Sequence, residues 1–272
     1  MSPKIVGVLH IISNLEQMVH FFTQVLEFKE RERTPWSGEG TLVKLSLGDQ
    51  WNYLLSFPSR PLYPADTRSH DAWFQHIAIV VSDIDKAFER LKHHRTQLIS
   101  PTPQNVGGVR ALYFRSPDGH PLELIQYPKG YGSPSWQDRR SLFLGIDHTA
   151  ITVKSTEKSV RFYCDLFGMK VLQEGLNHGE AQESLTGVKG ARVKITTLGF
   201  PDSSSMQLEC LEYLAPSGGR DKGNLLAESY TVIAVEELAS FSEKLPADKK
   251  VFPEGILITD PDGHRVFLRD VP

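Results

Sequence analysis

The chain has 272 residues, of which 40% are hydrophobic and 23% are charged, and its formal net charge is −3. This composition is typical of a globular protein with a substantial core, either one large domain or two of ordinary size. The sequence predicts no membrane span, because no apolar run approaches the roughly 20 residues that a span requires. Long basic runs are missing as well, which excludes a nucleic-acid surface, so a small molecule is the expected partner.

Two further features set expectations for location and assembly. The N-terminal residues lead into a strand-like run without the basic, apolar and small-residue zones of a secretory signal. Two cysteines are too few for a disulfide framework. We therefore expect a cytoplasmic protein, and both a monomer and a homodimer are compatible with the sequence.

The first half of the chain contains two units of similar plan. An amphipathic helix is predicted at residues 13–22, and strands follow at residues 41–47 and 51–57. A β-rich run at residues 74–81 then precedes a second capped helix. This unit ends with a Ser-Pro-Asp-Gly-His turn at residues 116–120 and a strand that carries Glu123 among apolar residues. A carboxylate in such a strand requires a cation or a proton.

The second half repeats this plan, which makes four units in all. Residues 154–163 match the first helix, and strands are predicted at residues 191–198 and 206–211. A shortened fourth unit starts at residues 230–235, and the turn returns as Asp-Pro-Asp-Gly-His at residues 260–264. Connectors rich in Pro, Gly, Ser and charged residues lie at residues 58–72, 128–142 and 215–225.

The turns, with Glu123 after the first, and the strands of His76 and His148 before capped helices resemble the vicinal oxygen chelate superfamily. Glyoxalase I, extradiol ring-cleaving dioxygenases and bleomycin-resistance proteins belong to it, and the resemblance covers nearly the whole chain. It implies an α+β fold of four βαβββ modules in tandem that form two half-open barrels, with a metal held between two modules. The implied domains are residues 1–133, with modules 1 and 2, and residues 141–272, with modules 3 and 4.

Alignment of the first strand of each unit on the helix that follows it identifies two candidate imidazole ligands. His76 and His148 occupy the same position in the second and third units. In the first and fourth units this position holds Gly7 and Tyr230. The histidines of the repeated turns, by contrast, are expected to be exposed or hydrogen-bonded locally.

The carboxylates divide in the same way. Glu123 ends the second unit and Glu209 ends the third, whereas the first unit offers Leu54 or Leu55 and the fourth offers Phe267. Polar residues at matched positions in two units indicate a shared divalent metal. The alternative is that each histidine is a satisfied core residue and that each glutamate pairs with an arginine, such as Arg110 or Arg115.

The resemblance also bears on how the modules pair. In extradiol dioxygenases neighbouring modules share barrels, which would leave two ligands in each site. In four-unit glyoxalase I-like chains module 2 pairs with module 3, which would gather His76, Glu123, His148 and Glu209 in one site. We favour this second arrangement over a pairing of modules 3 and 4. It would leave a metal-free site, either packed shut or an apolar pocket, at Gly7, Leu54 or Leu55, Tyr230 and Phe267.

Two imidazoles and two carboxylates suit Zn, Ni, Co, Mn or Fe(II) at distances of roughly 2.0–2.2 Å. The first hypothesis is a glyoxalase-type lyase or isomerase, in which the metal polarises a carbonyl and a carboxylate moves the adjacent proton. The resemblance assigns Glu123 as both ligand and base, because it follows the turn as in glyoxalase I, with Glu209 as the alternative base. The chain has no recognisable glutathione-anchoring motif, so the substrate stays open.

Two other functions fit parts of the pattern. Extradiol ring cleavage by Fe(II) needs two histidines, one carboxylate and three open positions, and a fourth protein ligand argues against it. A binding protein of the bleomycin-resistance kind would hold a small molecule in an aromatic-lined groove. Such a protein would not need the four ligands.

Overall fold

The computed structural model of the protein describes residues 3–37, 40–58, 63–137, 140–200, 205–221 and 228–271. Parts of the predicted connectors, residues 59–62, 138–139 and 222–225, lie outside the described residues. None of the helices within the described ranges has the length and apolar character needed to cross a membrane.

The first two units have one helix and several strands each. The first contains β1 (Lys4–Ile12), α1 (Leu15–His20), β2 (Lys29–Trp36), β3 (Gly40–Leu47) and β4 (Gln50–Ser56), and a π-helical turn, Phe21–Val25, extends α1. The second contains β5 (Gln75–Val81), α2 (Ile84–His93), β6 (Gln104–Val106), β7 (Val109–Arg115) and β8 (Pro121–Gln126). Both helices begin at a polar cap: the side chains of Asn14 and Asp83 accept backbone N–H bonds at 3.1 and 3.0 Å.

The last two units depart from each other in length. The third contains β9 (Phe143–Val153), α3 (Thr156–Phe167), β10 (Lys170–His178), α4 (Glu180–Thr186), β11 (Arg192–Gly199) and β12 (Gln207–Ala215). The fourth contains β13 (Ser229–Val235), α5 (Leu238–Phe241), β14 (Lys250–Phe252), β15 (Gly255–Thr259) and β16 (Arg265–Asp270). Helix α4 was not predicted, because seven residues are too few for a clear apolar period. Helix α5 is short and has no side-chain cap.

The strands form two curled mixed sheets of eight strands each. Sheet A has the order β14-β15-β16-β13-β1-β4-β3-β2, and sheet B has the order β10-β11-β12-β9-β5-β8-β7-β6. Sheet A therefore combines the first and fourth units, and sheet B combines the second and third. At the centre of each sheet the opening strands of two units pair antiparallel, β1 with β13 and β5 with β9. The predicted α+β fold with two half-open barrels is confirmed.

One large buried core holds the two sheets and the helices together. It includes side chains from all four units, such as Phe22, Ile79, Tyr163 and Leu268, each of which is fully buried. Phe22 and Tyr163 come from matching helical segments of the first and third units. The amphipathic helical faces that the sequence predicted are thus turned toward this shared core.

The repeated turns connect the two sheets, and the prediction that their histidines are exposed or bonded locally is wrong. His120 and His264 are both buried. Their Nε2 atoms lie 3.0 Å from the carbonyl oxygen of Ile11 and 2.8 Å from that of Thr152, respectively. His120 thus reaches from sheet B to β1 of sheet A, and His264 reaches from sheet A to β9 of sheet B. The two contacts are reciprocal, as expected for a duplicated chain.

Acid should weaken the protein through His120. Burial, only partly offset by Asp118, lowers the pKa of His120 to about 4, below the value of about 6.5 in an unfolded chain. The unfolded state therefore binds this proton first as the pH falls. The difference removes on the order of 3 kcal/mol of unfolding free energy between about pH 6.5 and 4, and none above that range.

We expect His120→Gln to lose less unfolding free energy than the wild type over this pH range, because glutamine keeps a donor but cannot be protonated. Urea unfolding at several pH values measures the difference. His94→Gln is the matched control, since His94 is exposed at the end of α2. Equal pH dependence in the wild type and His120→Gln would contradict the assignment.

Candidate metal centre

Four neighbouring strands of sheet B place the four predicted site residues next to one another. In the sheet order β12, β9, β5, β8 these residues are Glu209, His148, His76 and Glu123. The strand pairings Glu209↔Ala150 and Ala78↔Glu123 set the carboxylates beside the histidine strands. Side chains two residues apart on a strand share a face, so all four project to one side of the sheet.

The three buried members of this group are in direct contact. The Oε2 atom of Glu123 lies 2.9 Å from Nε2 of His76 and 3.4 Å from Nε2 of His148. One ligand atom from each of these residues lies within 4.8 Å of the others. Glu209 stands beside this group, with its Oε2 atom 3.5 Å from Nε2 of His148.

Neither arginine proposed as an alternative partner contacts Glu123 in the structure. Arg110 forms a two-pronged ion pair with Asp85, at 2.6 and 2.8 Å. Arg115 donates to the carbonyl oxygens of Gly119 and Thr67. The described partners of the Glu123 carboxylate are therefore imidazoles, which are metal ligands as well as hydrogen-bond donors.

The charges of the site are strongly coupled. Burial acts to raise the pKa of Glu123, but hydrogen bonds and positive charge from His148 and His76 outweigh it and lower the pKa to about 2. Burial acts to lower the pKa of His148, yet the carboxylates of Glu209, Asp147 and Glu123 outweigh it and hold this pKa well above its ordinary value. The site thus concentrates negative charge around its imidazoles, which favours a cation.

Glu209 behaves differently from Glu123. Burial raises the pKa of Glu209, attraction by His148 opposes this effect, and repulsion by Glu123 adds to it. About 21% of its side chain is exposed, compared with 7% for Glu123. Thr197 donates a long hydrogen bond of 3.3 Å to its Oε1 atom. Of the two carboxylates, Glu209 is the one that can more readily meet a substrate and take up a proton.

Asp147 and Tyr127 support His148 and were missed from the sequence. The Oδ2 atom of Asp147 lies 2.9 Å from Nδ1 of His148 and accepts a 2.9 Å hydrogen bond from the Tyr127 hydroxyl. Adjacent strand residues ordinarily point to opposite faces. Here the β5–β9 register shifts between Ile77 and Ile79, and this bulge in β9 turns Asp147 toward the ring beside it. No local sequence signal marks the bulge.

The group opens into a pocket of about 710 Å³ on sheet B. His148, Glu123 and Glu209 lie in its wall, together with aromatic residues that include Tyr113 and Tyr127. The ring of Tyr113 packs 4.8 Å from that of His76. The pocket is large enough for a small organic substrate next to His148, Glu123 and Glu209.

The donor set fits a divalent metal ion. Nε2 of His148 is buried and has no hydrogen-bond partner of acceptable geometry, although it faces the oxygens of Glu123 and Glu209. Its Nδ1 atom is hydrogen-bonded to the carboxylate of Asp147, and such a bond is the usual way in which a carboxylate orients a metal-binding imidazole. Ligand atoms that share an ion at about 2.1 Å are about 3–4 Å apart, and the separations here are similar. His76, Glu123 and His148 could therefore hold a metal, with Glu209 adjacent.

The corresponding position on sheet A has different chemistry. Gly7 matches His148, and a Cβ atom there would lie 2.4 Å from the carbonyl oxygen of Trp51. Strand pairing places Tyr53 opposite Leu9, as it places Glu209 opposite Ala150. Tyr53 therefore occupies the position of Glu209. The prediction that Leu54 or Leu55 is the equivalent of Glu209 is wrong, because the strand is displaced by one or two residues.

An apolar pocket of about 150 Å³ lies at this second position. Leu55, Tyr230 and Phe267 are in its wall, and the Trp36 ring packs 5.7 Å from that of Phe267. The sequence predicted a site that is either packed shut or apolar, and the structure has the apolar pocket. Gly7 does not line it.

We expect one divalent ion per chain, because the imidazole and carboxylate ligands lie together on sheet B. Elemental analysis of protein dialysed against metal-free buffer, normalised to protein concentration, measures this ratio. His148→Ala should reduce the metal content to background, whereas His94→Ala, at the exposed end of α2, should leave it unchanged. Full occupancy in His148→Ala would contradict the shared site.

The Asp147 carboxylate should strengthen metal binding without touching the ion. We expect Asp147→Asn to weaken metal affinity about 10- to 100-fold, because the His148 ring loses its charged anchor. Competition with a chromophoric chelator measures the affinity. Asp165→Asn is the control, because Asp165 is exposed on α3; a similar loss in both variants would show a nonspecific charge effect.

Comparison with known proteins agrees with the fold. Among curated relatives, a lactoylglutathione lyase of rice (Oryza sativa subsp. japonica) is 23% identical over 288 residues, covering 99% of this chain and 90% of the relative. A lactoylglutathione lyase of Neisseria meningitidis serogroup B is 28% identical over 130 residues, covering 46% of this chain and 92% of the relative. The crystal structure of glyoxalase I from Zea mays matches with a TM-score of 0.71 at 20% identity, covering 99% of this chain and 92% of that chain.

Both halves of the chain also match one family profile. The matched residues are 4–124 and 145–268, and the profile describes the Glyoxalase/Bleomycin resistance protein/Dioxygenase superfamily. These residues include all four units and the four predicted site residues. The protein belongs to the Glyoxalase/Bleomycin resistance protein/Dioxygenase superfamily, which is the vicinal oxygen chelate superfamily that its repeated turns and histidine strands resemble.

Proposed function

We propose that the protein is a metal-dependent enzyme of the glyoxalase type, which moves a proton next to the carbonyl group of a small-molecule substrate. The observation that carries this proposal is the convergence of His76, Glu123 and His148 at a pocket whose wall also contains Glu209. The names of the rice and Neisseria relatives support the reaction class.

The residues divide into metal ligands and a base. His76, His148 and Glu123 would hold the ion, because their ligand atoms converge and Glu123, with its low pKa, stays ionised. When bound, a divalent ion polarises a carbonyl and acidifies the C–H bond beside it. Both carboxylates were candidate bases from the sequence, with Glu123 preferred. We now assign the role of base to Glu209.

The assignment of Glu209 rests on its position and its raised pKa. Its carboxylate lies in the pocket wall and is partly exposed, so it can contact the C–H bond of a substrate bound in the pocket. A pKa raised by burial brings a carboxylate closer to the range in which a base both accepts and returns a proton. Glu209 would remove the proton from one carbon and deliver it to the next. Asp147 and Tyr127 hold the His148 ring in place meanwhile.

Proton exchange tests this function. The metal-loaded protein should incorporate solvent deuterium at the carbon beside the carbonyl of an α-hydroxycarbonyl test compound, observed by NMR. We expect Glu209→Gln to slow exchange by about 10²- to 10⁴-fold, the usual contribution of a positioned base, while metal content stays near one ion per chain.

Glu174→Gln provides the matched control, because Glu174 is an exposed glutamate of β10 that pairs with Lys194. It should exchange at the wild-type rate. Exchange that survives in Glu209→Gln but disappears in Glu123→Gln, with the metal still bound, would return the role of base to Glu123. If no candidate carbonyl compound exchanges, the enzyme proposal fails.

Ring cleavage by Fe(II) is the second candidate function, and the ligand set of His76, Glu123 and His148 favours it. Two histidines and one carboxylate match the ligand set of non-haem Fe(II) oxygenases, and Glu209 lies just outside this group. Anaerobically purified protein loaded with Fe(II) should then consume O₂ when a catechol is added. Proton exchange without O₂ consumption would eliminate this candidate.

A further inference from the structure

Helix α4 closes one end of the pocket. It lies between β10 and β11 of the third unit and packs across onto β6 and β7 of the second unit. Two hydroxyl groups fasten it there: Ser100 Oγ donates to the carbonyl oxygen of Leu185, and Ser69 Oγ donates to that of Thr186, both at 2.7 Å. The helix is therefore a fixed part of the pocket wall.

Gln182 on this helix lies at the pocket wall and has an unused polar atom. Its side chain lines the cavity, although the residue is only 3% exposed. Its Oε1 atom is buried and has no hydrogen-bond partner. A buried amide oxygen without a partner is unfavourable, and at the wall of a cavity a ligand can supply the missing hydrogen-bond donor.

The pocket wall near Gln182 combines hydroxyl groups with apolar side chains such as Val193 and Leu211. Tyr213 lines the same pocket, and its buried hydroxyl lies near those of Ser69 and Thr186 but has no hydrogen-bond partner of acceptable geometry. The protons of these two hydroxyls are committed to backbone carbonyls, since Thr186 Oγ1 donates to the carbonyl oxygen of Gln182 at 2.9 Å and Ser69 donates to that of Thr186. This end of the pocket offers amide and hydroxyl groups to a ligand.

At the closed end, Tyr213 is well separated from Glu209 along β12. Glu209, Leu211 and Tyr213 alternate along β12 and all line the pocket, so they share one face of the strand. Four residues of extended strand separate the Cα atoms of Glu209 and Tyr213 by about 13 Å. A molecule that reacts beside Glu209 and touches the closed end must therefore carry a tail several atoms long.

The charged residues of the pocket wall determine whether a charged or an uncharged substrate tail is favoured. Its charged side chains among the described residues are Glu123 and Glu209, with His148, and no lysine or arginine lines it there. A carboxylate tail would lose its water at the closed end without gaining a cation. A hydroxyl or amide group would instead pair with the Gln182 side chain.

We propose, on the basis of the proposed function, that the substrate bears an uncharged hydrogen-bonding group, a hydroxyl or an amide, on a tail that reaches Gln182. Gln182 is then the residue that distinguishes such substrates from carbonyl compounds with carboxylate tails. The free carboxylates of a peptide-thiol conjugate would be disfavoured at this end of the pocket.

Three hydroxamic acids test this selection by calorimetric binding to the metal-loaded protein. They share a metal-chelating head and an eight-carbon chain, and they end in a primary amide, a carboxylate or a methyl group. We expect the amide-ended compound to bind at least 10-fold more tightly than either of the others. Gln182→Met, which keeps the chain length and removes the amide, should abolish the preference for the amide over the methyl end.

Gln173→Met is the matched control, because Gln173 also lines the pocket but is exposed on β10. It should keep the preference. Equal affinities for the amide and carboxylate ends, or a preference that survives in Gln182→Met, would overturn the inference while the proposed function stands. If the wild type binds no metal, the proposed function fails and the inference fails with it.

A second measurement needs neither metal nor ligand. If Gln182 serves recognition, Gln182→Met should raise the Tm of the unliganded protein by roughly 2–4 °C, because it removes a buried group without a partner. A lower Tm would mean that Gln182 supports the fold, which would overturn the recognition role.

Discussion

The antiparallel pairing of β5 with β9 is the contact on which the site depends. It joins the opening strands of the second and third units and places His76 opposite Ala150, two residues from His148. Without this pairing each half of the chain would keep one histidine and one carboxylate, too few for a stable metal site. Thr149 helps to set the register, because its hydroxyl donates to the carbonyl oxygen of His76 at 2.9 Å.

The other pair of units supports this arrangement. Sheet A has no imidazole or carboxylate at the equivalent described positions, yet it holds the β9 strand of sheet B through His264, and sheet B holds β1 through His120. Gln75 extends the connection, because its amide nitrogen donates at 3.1 Å to the hydroxyls of Thr149 and Thr231, which lie on different sheets. A duplicated chain can thus lose one set of metal ligands and still need both halves for its fold.

Within the site, burial and charge separate two carboxylates of the same type. Glu123 is enclosed by two imidazoles, which keep it ionised and suit it to be a ligand. Glu209 faces the pocket with a raised pKa, which suits it to exchange protons. The Asp147–His148 contact adds a third carboxylate, so an ion placed among them would be strongly attracted. Helix α4, present in the third unit alone among the described units, gives the same pocket its closed and uncharged end.

The four-unit repeat and the capped helices can be read from the sequence alone, as can His76, Glu123, His148 and Glu209 as candidate site residues. These follow from local periodicity and from comparison of the units with one another. The pairing of units across the halves was favoured only with the help of a family resemblance, because pairing between distant strands leaves no local pattern.

The remaining features depend on how the strands meet in three dimensions. The bulge that turns Asp147 to His148, the register that puts Tyr53 in place of Glu209, and the contacts of His120 and His264 between sheets all depend on strands brought together from distant parts of the chain. So does the meeting of Gln182 with the pocket, since α4 reaches it by packing on another unit. Local sequence sets the direction of each side chain along its own strand, but the identity of its neighbours depends on the register between strands, which is fixed when the whole sheet forms.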